Sequence, residues 1–432
     1  MSQSPSGTSP DAAIWDAVII GAGAAGLMAG IRAAELGAKV LLLEKGKKPG
    51  VKILMSGGTR CNITHHCSNR EIAKAFGKNG ECLHSVLSGF GVEDAVAFFE
   101  AEGVKTKIES TGKVFPVSNK ASDVLEALLG RLYRAGARVW NECPVRHFRL
   151  VNGTFEMDSA KGIVRSRKVL LSSGGKSFPR CGTTGDGYAW AEELGHTIVP
   201  TRPSLVPLTT PLDWVGQLSG ITLRDTKVGA GVGTKVLGSE RGAWLFTHFG
   251  YSGPAPMNLS RLLTNTNGAS WLRLDSLPDM KVPEVEEKIL AAVPIQGKKG
   301  VASMLSLTFG DAVPLRWAEA LISLAGVGPQ TKATELARGP RQKLVALLKG
   351  IELPVSGSSG YEKAEVTTGG VEVKEVCFKT MESKLVPGLY FAGEILDLDG
   401  PIGGFNFQSA WSTGWAAGTS LANGLEGNIE NT

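Results

Sequence analysis

The chain has 432 residues, of which 42% are hydrophobic and 20% are charged, and its formal net charge is +5. This composition is typical of a globular protein with room for two or three domains, and it excludes fibrous and highly charged disordered classes. The positive charge is spread along the sequence, with no dense Lys/Arg block and no basic stretch interleaved with aromatic residues. We therefore expect no nucleic-acid partner.

Residues 1–13 are rich in Ser, Pro and Gly and are predicted to form a disordered tail, and residues 426–432 form a second tail. The first tail lacks the basic start and apolar core of a signal peptide. The longest apolar stretch, 17–31, is interrupted by glycines and is too short to span a bilayer, so we expect no membrane association. The six cysteines are scattered without a C-x-x-C pair or a zinc-like spacing. This favours a reduced, cytoplasmic protein with no metal site.

The first predicted element is a strand-turn-helix-strand unit that binds a dinucleotide. An apolar run, 17–20, stops at Gly21, Gly23 and Gly26, which have the spacing G-x-G-x-x-G. In such units the first glycine allows a tight turn, the second lets the backbone approach a pyrophosphate, and the third lets the helix pack on the strand. The helix N-terminus then offers free N–H groups to the phosphates. A second apolar run ends at Glu44, which has the spacing of the acid that hydrogen-bonds an adenosine ribose.

Two amphipathic helices and several strands are predicted between this unit and residue 196. The periodicity of the apolar residues predicts helices over 93–102 and 121–135, each followed by a glycine. Short strands are predicted at 138–140, around Val145, and at 169–171, where the chain runs into the small residues 172–175. Strands that alternate with helices in this way indicate a parallel sheet.

Residues 197–355 have a different texture and are predicted to be an inserted β-rich and helical substrate domain. The segment 229–233 is rich in glycine but has no helix after it, so we expect no second dinucleotide-binding unit. Short strand-like pieces dominate up to about residue 275, and helices follow. Examples are the strand-like pieces with turn residues over 226–236 and the helical patterns at 285–293, 318–324 and 343–348.

The end of the chain returns to nucleotide-fold character over 356–425. A strand at 388–394 ends in Gly393-Glu394, and we expect it to lie beside the first strand of the chain. A glycine-rich loop then leads through Asn406 into a helix over 410–417. In flavoproteins such a helix points its N-terminus at the pyrimidine end of the flavin, where reduction places negative charge. The return segment therefore favours FAD over NAD as the bound cofactor.

Eight motifs keep their order along nearly the whole chain: SGGTRCNIT at 56–64, GKVFP at 112–116, TTGDGY at 183–188, LFTHFGYSGP at 245–254, VTTGGV at 366–371, TMESK at 380–384, FAGEILD at 391–397 and GGFNFQ at 403–408. On these motifs the chain resembles the BaiN-like family of FAD-dependent flavoproteins, which includes aminoacetone-oxidase-type enzymes. The resemblance implies an α/β fold, with a glutathione-reductase-type FAD-binding Rossmann-like domain and an inserted β-rich plus helical region. The FAD-binding domain would comprise residues 14–196 and 356–425.

The chain departs from the family pattern at three positions near the expected flavin pocket. Thr59 stands where the family usually has a third glycine, and Phe405 and Phe407 stand where Tyr and Leu are common. These departures bear on the identity of the substrate more than on FAD binding.

The motifs and the resemblance together predict the cofactor-binding residues. They are Gly21, Gly23, Ala24, Ala25, Gly26, Glu44, Lys45, Lys52, Ser56, Gly57, Gly58, Arg60, Cys61, Asn62, Val145, Ser173, Gly174, Gly175, Asp186, Gly393, Glu394, Asp397, Gly403, Gly404, Phe405 and Asn406.

The residues that carry out catalysis are not identified by any motif, and four candidates remain. Arg60 and Asn62 would be polar groups at the flavin, or part of a network that stabilises their loop. His248 and Tyr251 could donate a proton to a substrate, or serve the structure of the inserted region. Cys61 could react with or attach the flavin, but a small buried residue is the simpler interpretation.

Three functions remain open from the sequence. The first is a flavin reductase that uses NAD(P)H to reduce an activated C=C bond of a small organic substrate, as the resemblance implies. The second is an oxidase of a small amine that releases hydrogen peroxide. The third is a flavin-containing RNA-modifying or RNA-binding protein, which the absence of a basic, aromatic-interleaved stretch disfavours. Because only one nucleotide unit is predicted, NAD(P)H would visit the flavin transiently. The sequence leaves the oligomeric state open.

Overall fold

The computed structural model describes residues 14–264 and 268–423, so the predicted tails at 1–13 and 426–432 lie outside the described residues. The chain divides into two compact units, one made of the segments up to Thr201 and from Val366, and the other spanning Arg202–Glu365. Each unit has its own hydrophobic core. For comparison, the sequence places the limits of the insertion at 197 and 355.

The first segment of the chain alternates strands and helices, as the periodicity predicts. Its elements are β1 (Trp15–Ile20), α1 (Ala24–Glu35), β2 (Val40–Leu43), α2 (Val51–Met55), β3 (Thr64–His65), α3 (Asn69–Ala75), α4 (Leu83–Gly89), α5 (Val92–Ala101), β4 (Thr106–Ile108), β5 (Lys113–Pro116), α6 (Ala121–Arg134), β6 (Arg138–Trp140), β7 (Val145–Val151), β8 (Thr154–Ser159), β9 (Gly162–Leu171), α7 (Asp186–Glu193) and β10 (Ile198–Ser204). Strands β1 and β2 are buried along almost their whole length, which is why they read as apolar runs.

The second unit is an antiparallel sheet followed by a group of helices. Its elements are β11 (Leu208–Thr209), α8 (Asp213–Gly216), β12 (Thr222–Val232), β13 (Lys235–Phe246), β14 (Gly250–Ser252), α9 (Pro254–Leu263), β15 (Ser270–Asp275), α10 (Val282–Gln296), α11 (Val301–Phe309), α12 (Leu315–Ala325), α13 (Arg338–Gly350), β16 (Ile351–Val355) and β17 (Gly357–Ser358). The strand order is β16-β15-β12-β13-β14-β11-β17.

The short strand-like pieces with turn residues that the sequence predicts over 226–236 form a β-hairpin. The segment 226–236 is the second half of β12, a turn at Gly233, and the start of β13, which pairs antiparallel with β12. The turn reverses the chain because Gly233 has a positive φ of 53°, a conformation that glycine adopts readily. The glycine-rich segment 229–233 is therefore part of a hairpin and is not followed by a helix, as expected.

The return segment completes the first unit with β18 (Val366–Val371), β19 (Val376–Cys377), β20 (Glu382–Ser383), β21 (Leu389–Phe391) and α14 (Phe405–Ala422). The main sheet has the order β19-β20-β21-β9-β1-β2-β6, with β7 and β8 attached through β9. The late strand β21 thus lies beside β9, and the expectation that it lies beside β1 is wrong. The apolar end of β9 takes that place, pairing in parallel with both strands. Helix α14 also begins at Phe405, earlier than predicted.

Among residues 14–264 and 268–423, no single helix has both the length and the apolar composition needed to cross a bilayer. One bent pair of helical segments, Gly77–Gly89 with Val92–Ala101, meets these two criteria only when both segments are taken together.

Helices α1 and α14 lie in backbone contact because glycines remove the side chains between them. A Cβ on Gly414 would lie 2.4 Å from the carbonyl oxygen of Ala25, and one on Gly418 would lie 2.5 Å from that of Ala29. Such distances are far inside van der Waals contact, so only glycine fits at these two positions. The packing fixes the start of α14 relative to the start of α1.

His196 makes the first unit sensitive to acid. Its imidazole is buried, with Nε2 2.8 Å from Ser383 Oγ and Nδ1 3.2 Å from the carbonyl oxygen of Ala191. Burial lowers the pKa of His196 below its usual range, so the unfolded chain binds a proton more readily than the folded chain. The stability from this group is therefore complete above the usual histidine pKa, about 6.5, and is lost as the pH falls below it.

We expect the free energy of unfolding of the wild-type protein to decrease more steeply than that of His196→Asn between about pH 7 and pH 5. The slopes of the two pH profiles should differ by no more than about 1.4 kcal/mol per pH unit. Chemical denaturation at several pH values measures the free energy of unfolding of each protein. Parallel pH profiles for the two proteins would contradict the prediction.

Candidate active site

The predicted cofactor residues follow the carboxyl ends of four parallel strands. The last residues of β1, β2, β9 and β21 pair with one another at one level of the sheet. Glycine turns or acids follow within two residues of each of these ends: Gly21, Glu44, Ser172–Gly175 and Gly393-Glu394. In open α/β sheets ligands bind at this edge, so the topology brings together residues that lie far apart in the sequence.

The three glycines of the first turn have three different structural roles. Gly21 has a φ of +101°, which permits the tight turn. A Cβ on Gly26 would lie 2.0 Å from the carbonyl oxygen of Gly21, so this position sets the close approach of α1 to the turn. A Cβ on Gly23 would meet no atom within 4 Å. Gly23 therefore borders open space, and its own backbone conformation would accept a side chain.

No side chain caps the first backbone N–H groups of α1. Gly23 is the N-cap and supplies no side chain, Ala24 and Ala25 begin the helix, and its first turn contains no acid. The N–H groups and the positive end of the helix dipole therefore remain available for an anion. This arrangement fits a pyrophosphate beside Gly23.

Glu44 lies close to the same turn. Its carboxylate accepts hydrogen bonds from the backbone N–H of Ala22 at 3.1 Å and of Gly46 at 2.6 Å. The carbonyl oxygen of Glu44 accepts from the N–H of Cys143, which places Val145, at the start of β7, near the end of β2. Each oxygen of the Glu44 carboxylate accepts one hydrogen bond. Each oxygen therefore keeps a lone pair that can accept a hydrogen bond from a ribose hydroxyl.

Lys45 and Asp186 form an exposed ion pair with a distance of 2.8 Å. Thr184 Oγ1 accepts a hydrogen bond from Lys45 Nζ and donates one to Asp186. These contacts bring the TTGDGY motif to the end of β2. Because both charged groups are about two-fifths exposed, solvent screens the pair and its main effect is to orient the two loops.

The loop 56–62 has left-handed backbone at Gly57, Gly58, Thr59 and Cys61. Cys61 is completely buried, and burial raises the pKa of its thiol to about 12. A thiol of this kind is neither a thiolate nucleophile nor exposed for attachment of a flavin. The structure thus favours the interpretation of Cys61 as a small buried residue. Ser56 begins the loop, and its carbonyl oxygen accepts from the N–H of Cys61.

Thr59 is held in a strained backbone conformation. Its φ is +66°, and β-branched residues rarely adopt this region. We expect Thr59→Gly to raise the free energy of unfolding by about 1 kcal/mol. The strain costs about 1–3 kcal/mol, whereas the added freedom of glycine in the unfolded chain costs about 0.5–1 kcal/mol.

Thermal or urea unfolding of the apoprotein measures the effect of Thr59→Gly. Thr222→Gly is a matched control, because Thr222 is exposed on β12 with ordinary strand backbone, and this change should lower stability. Unchanged or reduced stability of Thr59→Gly would show that other contacts of the loop compensate the strain.

Arg60 is held by contacts within the protein. Its guanidinium donates to Glu109 at 2.7 Å and lies over the ring of Phe115, 3.9 Å from the centroid. This supports the interpretation of Arg60 as part of a loop-stabilising network. Asn62 differs, because its side chain is buried and its Oδ1 has no hydrogen-bond partner in the part of the chain that the structure describes. A buried amide oxygen of this kind calls for a further donor.

Lys52 and Glu394 join three segments of the site. Lys52 Nζ donates to Glu394 Oε2 at 2.5 Å and to Ser177 Oγ at 2.6 Å. Glu394 Oε1 accepts from Ser177 Oγ and from the backbone N–H of Thr367. A Cβ on Gly175 would lie 2.4 Å from Thr367 Oγ1, so the glycine makes room for this network. The charges are mutually compensated, and the network orients the segments around the strand ends.

The neighbouring Ser173 and Gly174 continue the turn after β9. Gly174 has a φ of +75°. Ser173 Oγ is buried without a hydrogen-bond partner among residues 14–264 and 268–423. Gly393 follows β21 with a φ of +78°, and a Cβ there would lie 2.9 Å from the Cβ of Ala25. The turn after β21 thus brings bare backbone to the start of α1.

The start of α14 is a second helix N-terminus at the site. Gly404 is the N-cap, with a φ of +96°, and the first turn has no acid. A Cβ on Gly404 would lie 2.4 Å from the carbonyl carbon of Thr64, and Gly403 before it also has a positive φ. Asn406 Oδ1 accepts from the N–H of Gly400 and Nδ2 donates to the carbonyl of the same residue. The amide thereby closes the loop that precedes the helix.

Asp397 also stabilises this loop region. Its carboxylate accepts from Asn79 Nδ2 at 2.9 Å and from the N–H of Gly369 at 3.1 Å. Burial raises the pKa of Asp397, and the hydrogen bond from Asn79 opposes that shift. Asp397 thus connects β18 with the segment after α3.

The two catalytic candidates of the second unit differ in accessibility. His248 is exposed in the turn between β13 and β14. Tyr251 is completely buried in the core, and its hydroxyl donates to Thr210 Oγ1 at 2.8 Å. Burial raises the pKa of Tyr251 to about 12. These contacts support a structural role for Tyr251.

The strand-end edge fits a dinucleotide on three observations. Gly23 borders open space, two helix N-termini are left uncapped, and Asn62 and Ser173 carry buried oxygens without partners in the described segments. No group of three His, Cys, Asp or Glu residues able to hold a metal ion occurs among residues 14–264 and 268–423. Sequence patterns did not predict Gly414 and Gly418, although glycines four residues apart on one helix are a signal of close helix packing.

Comparison with known proteins agrees with this architecture. The family model described as HI0933-like protein Rossmann domain matches residues 15–420. The ribosomal RNA dihydrouridine synthases of Escherichia coli and Haemophilus influenzae are each 33% identical to this chain, covering 94% of it and 98% of the relative. The 3-dehydro-bile acid delta(4,6)-reductase of Clostridium scindens is 32% identical, also covering 94% of this chain and 98% of the relative.

Proposed function

Since this chain belongs to the HI0933-like family and is an FAD-dependent oxidoreductase of the BaiN-like kind, we propose that it reduces a carbon–carbon double bond conjugated to a carbonyl group, with NAD(P)H as the electron donor. The observation that carries the proposal is the pair of uncapped helix N-termini, α1 at Gly23 and α14 at Gly404, fixed to each other at the edge of the sheet. When bound there, FAD supplies the two-electron transfer.

The names of the relatives support the type of reaction. A delta(4,6)-reductase acts on C=C bonds, and formation of dihydrouridine from uridine also saturates a ring C=C bond beside a carbonyl group. The two reactions share the same chemistry and differ in the size of the substrate. We infer that this chain acts on the same type of bond.

The residues of the first unit would divide the binding of FAD among them. The start of α1 at Gly23 would hold the pyrophosphate, and Glu44 would bind the adenosine ribose. The start of α14 would face the pyrimidine end of the flavin and favour negative charge there. Lys52 and Glu394 would position the turns around the ribityl chain, and Asn62 Oδ1 would find its missing donor on the flavin or on the substrate.

The substrate is proposed to be a small organic molecule, with uridine in ribosomal RNA as the second candidate. The second candidate is favoured by the two relatives named for that reaction, and it differs from the expectation that the sequence gives no sign of a nucleic-acid partner. His248 is exposed in the second unit, and its contact with a substrate stays a prediction. Cytoplasmic localisation stays part of the proposal.

Anaerobic reduction of the bound FAD shows which compound donates electrons to it. Reoxidation of the reduced FAD shows which substrate accepts them. NADH, NADPH and a panel of small amines are mixed with the protein, and bleaching of the flavin absorbance is followed. The reduced protein is then mixed with a small cyclic enone or with a ribosomal RNA transcript. Reoxidation by the enone alone supports the small-molecule proposal, and formation of dihydrouridine supports the RNA candidate. Reduction by an amine but by neither nicotinamide would overturn the proposal in favour of an amine oxidase.

The single dinucleotide-binding unit of the described residues has a kinetic consequence. A nicotinamide that lacks its own Rossmann unit must approach FAD through the cavity that the substrate uses, so the two occupy it in turn. We expect ping-pong kinetics, with parallel double-reciprocal lines at several fixed acceptor concentrations. Asn62→Ala should slow both half-reactions, because the side chain would face the shared cavity. Intersecting lines, or binding of nicotinamide and substrate together, would contradict the shared cavity.

A further inference from the structure

His65 lies at the turn that begins α14, and no sequence pattern predicted it as a site residue. Its Nδ1 lies 2.9 Å from the carbonyl oxygen of Gly403. Its ring stacks on Phe405, the first residue of α14, with the centroids 4.6 Å apart and the planes at 23°. The imidazole thus contacts the residues on both sides of Gly404, whose backbone packs on Thr64.

The contact with Gly403 determines which ring nitrogen carries the proton. A carbonyl oxygen can only accept, so Nδ1 of His65 donates, and Nε2 of the neutral ring has the lone pair. Nε2 has no hydrogen-bond partner in the described part of the chain. Gly112 keeps this edge of the ring clear, because a Cβ there would lie 2.6 Å from Nε2. A second proton can therefore bind at Nε2 without breaking the bond to Gly403.

Two charged residues lie near His65. Glu71 of α3 interacts electrostatically with it, and Lys113 of β5 is its direct partner in the strand register. The first turn of α14 contains no acid. A negative charge that develops at the start of α14 would therefore lie beside an imidazole whose Nε2 can bind a proton.

We propose that His65 couples the reduction of bound FAD to the uptake of a proton at its Nε2. This inference rests on the proposed function, in which the start of α14 faces the redox-active ring of FAD. Two-electron reduction adds negative charge at that end of the flavin. The electrons pass from the donor to FAD, and a proton passes from solvent to Nε2, so the new charge is compensated. His65 is thus a tuning residue that favours reduced FAD most strongly at low pH.

The variant His65→Asn can keep the hydrogen bond to Gly403 while removing the group that takes up the proton. The Nδ2–H group of asparagine can replace Nδ1–H and donate to Gly403, but the amide does not titrate. We expect H65N to bind FAD as the wild type does. Its midpoint potential should depend less on pH than that of the wild type between about pH 5.5 and pH 8.5. At the acidic end of this range, the midpoint potential of H65N should be about 30 mV lower than that of the wild type. For a two-electron couple this corresponds to a shift of about tenfold towards oxidised FAD.

Spectroelectrochemical titration of bound FAD measures these potentials, and FAD content is measured first. His66→Asn is the matched control, since His66 is the next residue and is exposed, and it should behave as the wild type. Wild-type protein without FAD would overturn the proposed function and this inference together. H65N that binds FAD and keeps the wild-type pH dependence would overturn only the inference.

A measurement on the wild type alone covers the case in which H65N does not fold. Photochemical reduction of bound FAD in weakly buffered solution, with a pH indicator, reports the protons taken up. At about pH 8, where free FAD is reduced to its anion, we expect more protons per FAD than free FAD takes up, because His65 binds an additional proton. Uptake equal to that of free FAD would overturn the inference.

Discussion

Gly23→Val should give a folded protein that has lost most of its FAD. The change leaves the fold intact because the Cβ of residue 23 meets no atom within 4 Å and the backbone there is extended. In the proposed complex the valine would occupy the space of the pyrophosphate, so we expect the affinity for FAD to fall at least about 100-fold. A ligand present at 100 times its dissociation constant stabilises a protein by about 2.7 kcal/mol, and this stabilisation should be lost as well.

The measurements are the FAD content of the purified protein and its melting temperature with and without added FAD. The apoproteins of the variant and of the wild type should melt at similar temperatures, which separates loss of the cofactor from loss of the fold. Gly58→Val is not a useful control, because residue 58 has a positive φ. Gly89→Ala is preferable, since Gly89 is exposed and helical with no atom within 4 Å of its Cβ. Normal FAD content in Gly23→Val would show that the phosphates lie elsewhere.

Gly414→Ala should destabilise the first unit and weaken FAD binding although the residue is remote from the strand ends in sequence. The added Cβ would lie 2.4 Å from the backbone oxygen of Ala25, and backbone cannot rotate away as a flexible side chain can. Overpacking of this kind costs about 1–3 kcal/mol, which outweighs the gain of about 0.8–1 kcal/mol in helix propensity. Helices α1 and α14 must then move apart, which displaces both helix N-termini.

Thermal unfolding and FAD titration of Gly414→Ala measure the two effects together. In Gly89→Ala the same substitution adds helix propensity without a clash, so this control should be as stable as the wild type or more stable, with unchanged FAD binding. A variant Gly414→Ala with wild-type stability would show that the contact between α1 and α14 yields at little cost. Lower stability with unchanged FAD affinity would show that the helix packing does not position the site.

Local features of the site could be predicted from the sequence. The turn at Gly21, Gly23 and Gly26 depends on residues that are neighbours in the chain, and its geometry follows from the absence of side chains. The same holds for the strand that ends at Glu44. The return at Gly393-Glu394 was recognisable because it repeats the pattern of an apolar strand followed by a glycine and an acid.

The interpretation of individual polar residues required the structure. Arg60 and Asn62 lie two residues apart in one loop, yet Arg60 is held by Glu109 and Phe115, whereas Asn62 keeps a buried oxygen without a partner in the described segments. The partners of Arg60 are about 50 residues away along the chain. No pattern within the loop distinguishes the two side chains, because their difference arises from the sheet that packs against the loop.

Short-range periodicity and glycine spacing are enough to predict the dinucleotide turn, the α/β class and the return of the chain to the nucleotide fold. Only the folded chain shows that β9 separates β21 from β1, that Lys52 pairs with Glu394, and that His65 contacts Gly403. Each of these contacts joins segments brought together only by the order of strands in the sheet. Strand order depends on which buried apolar surfaces fit together across the whole unit, and a single stretch of sequence does not contain that information.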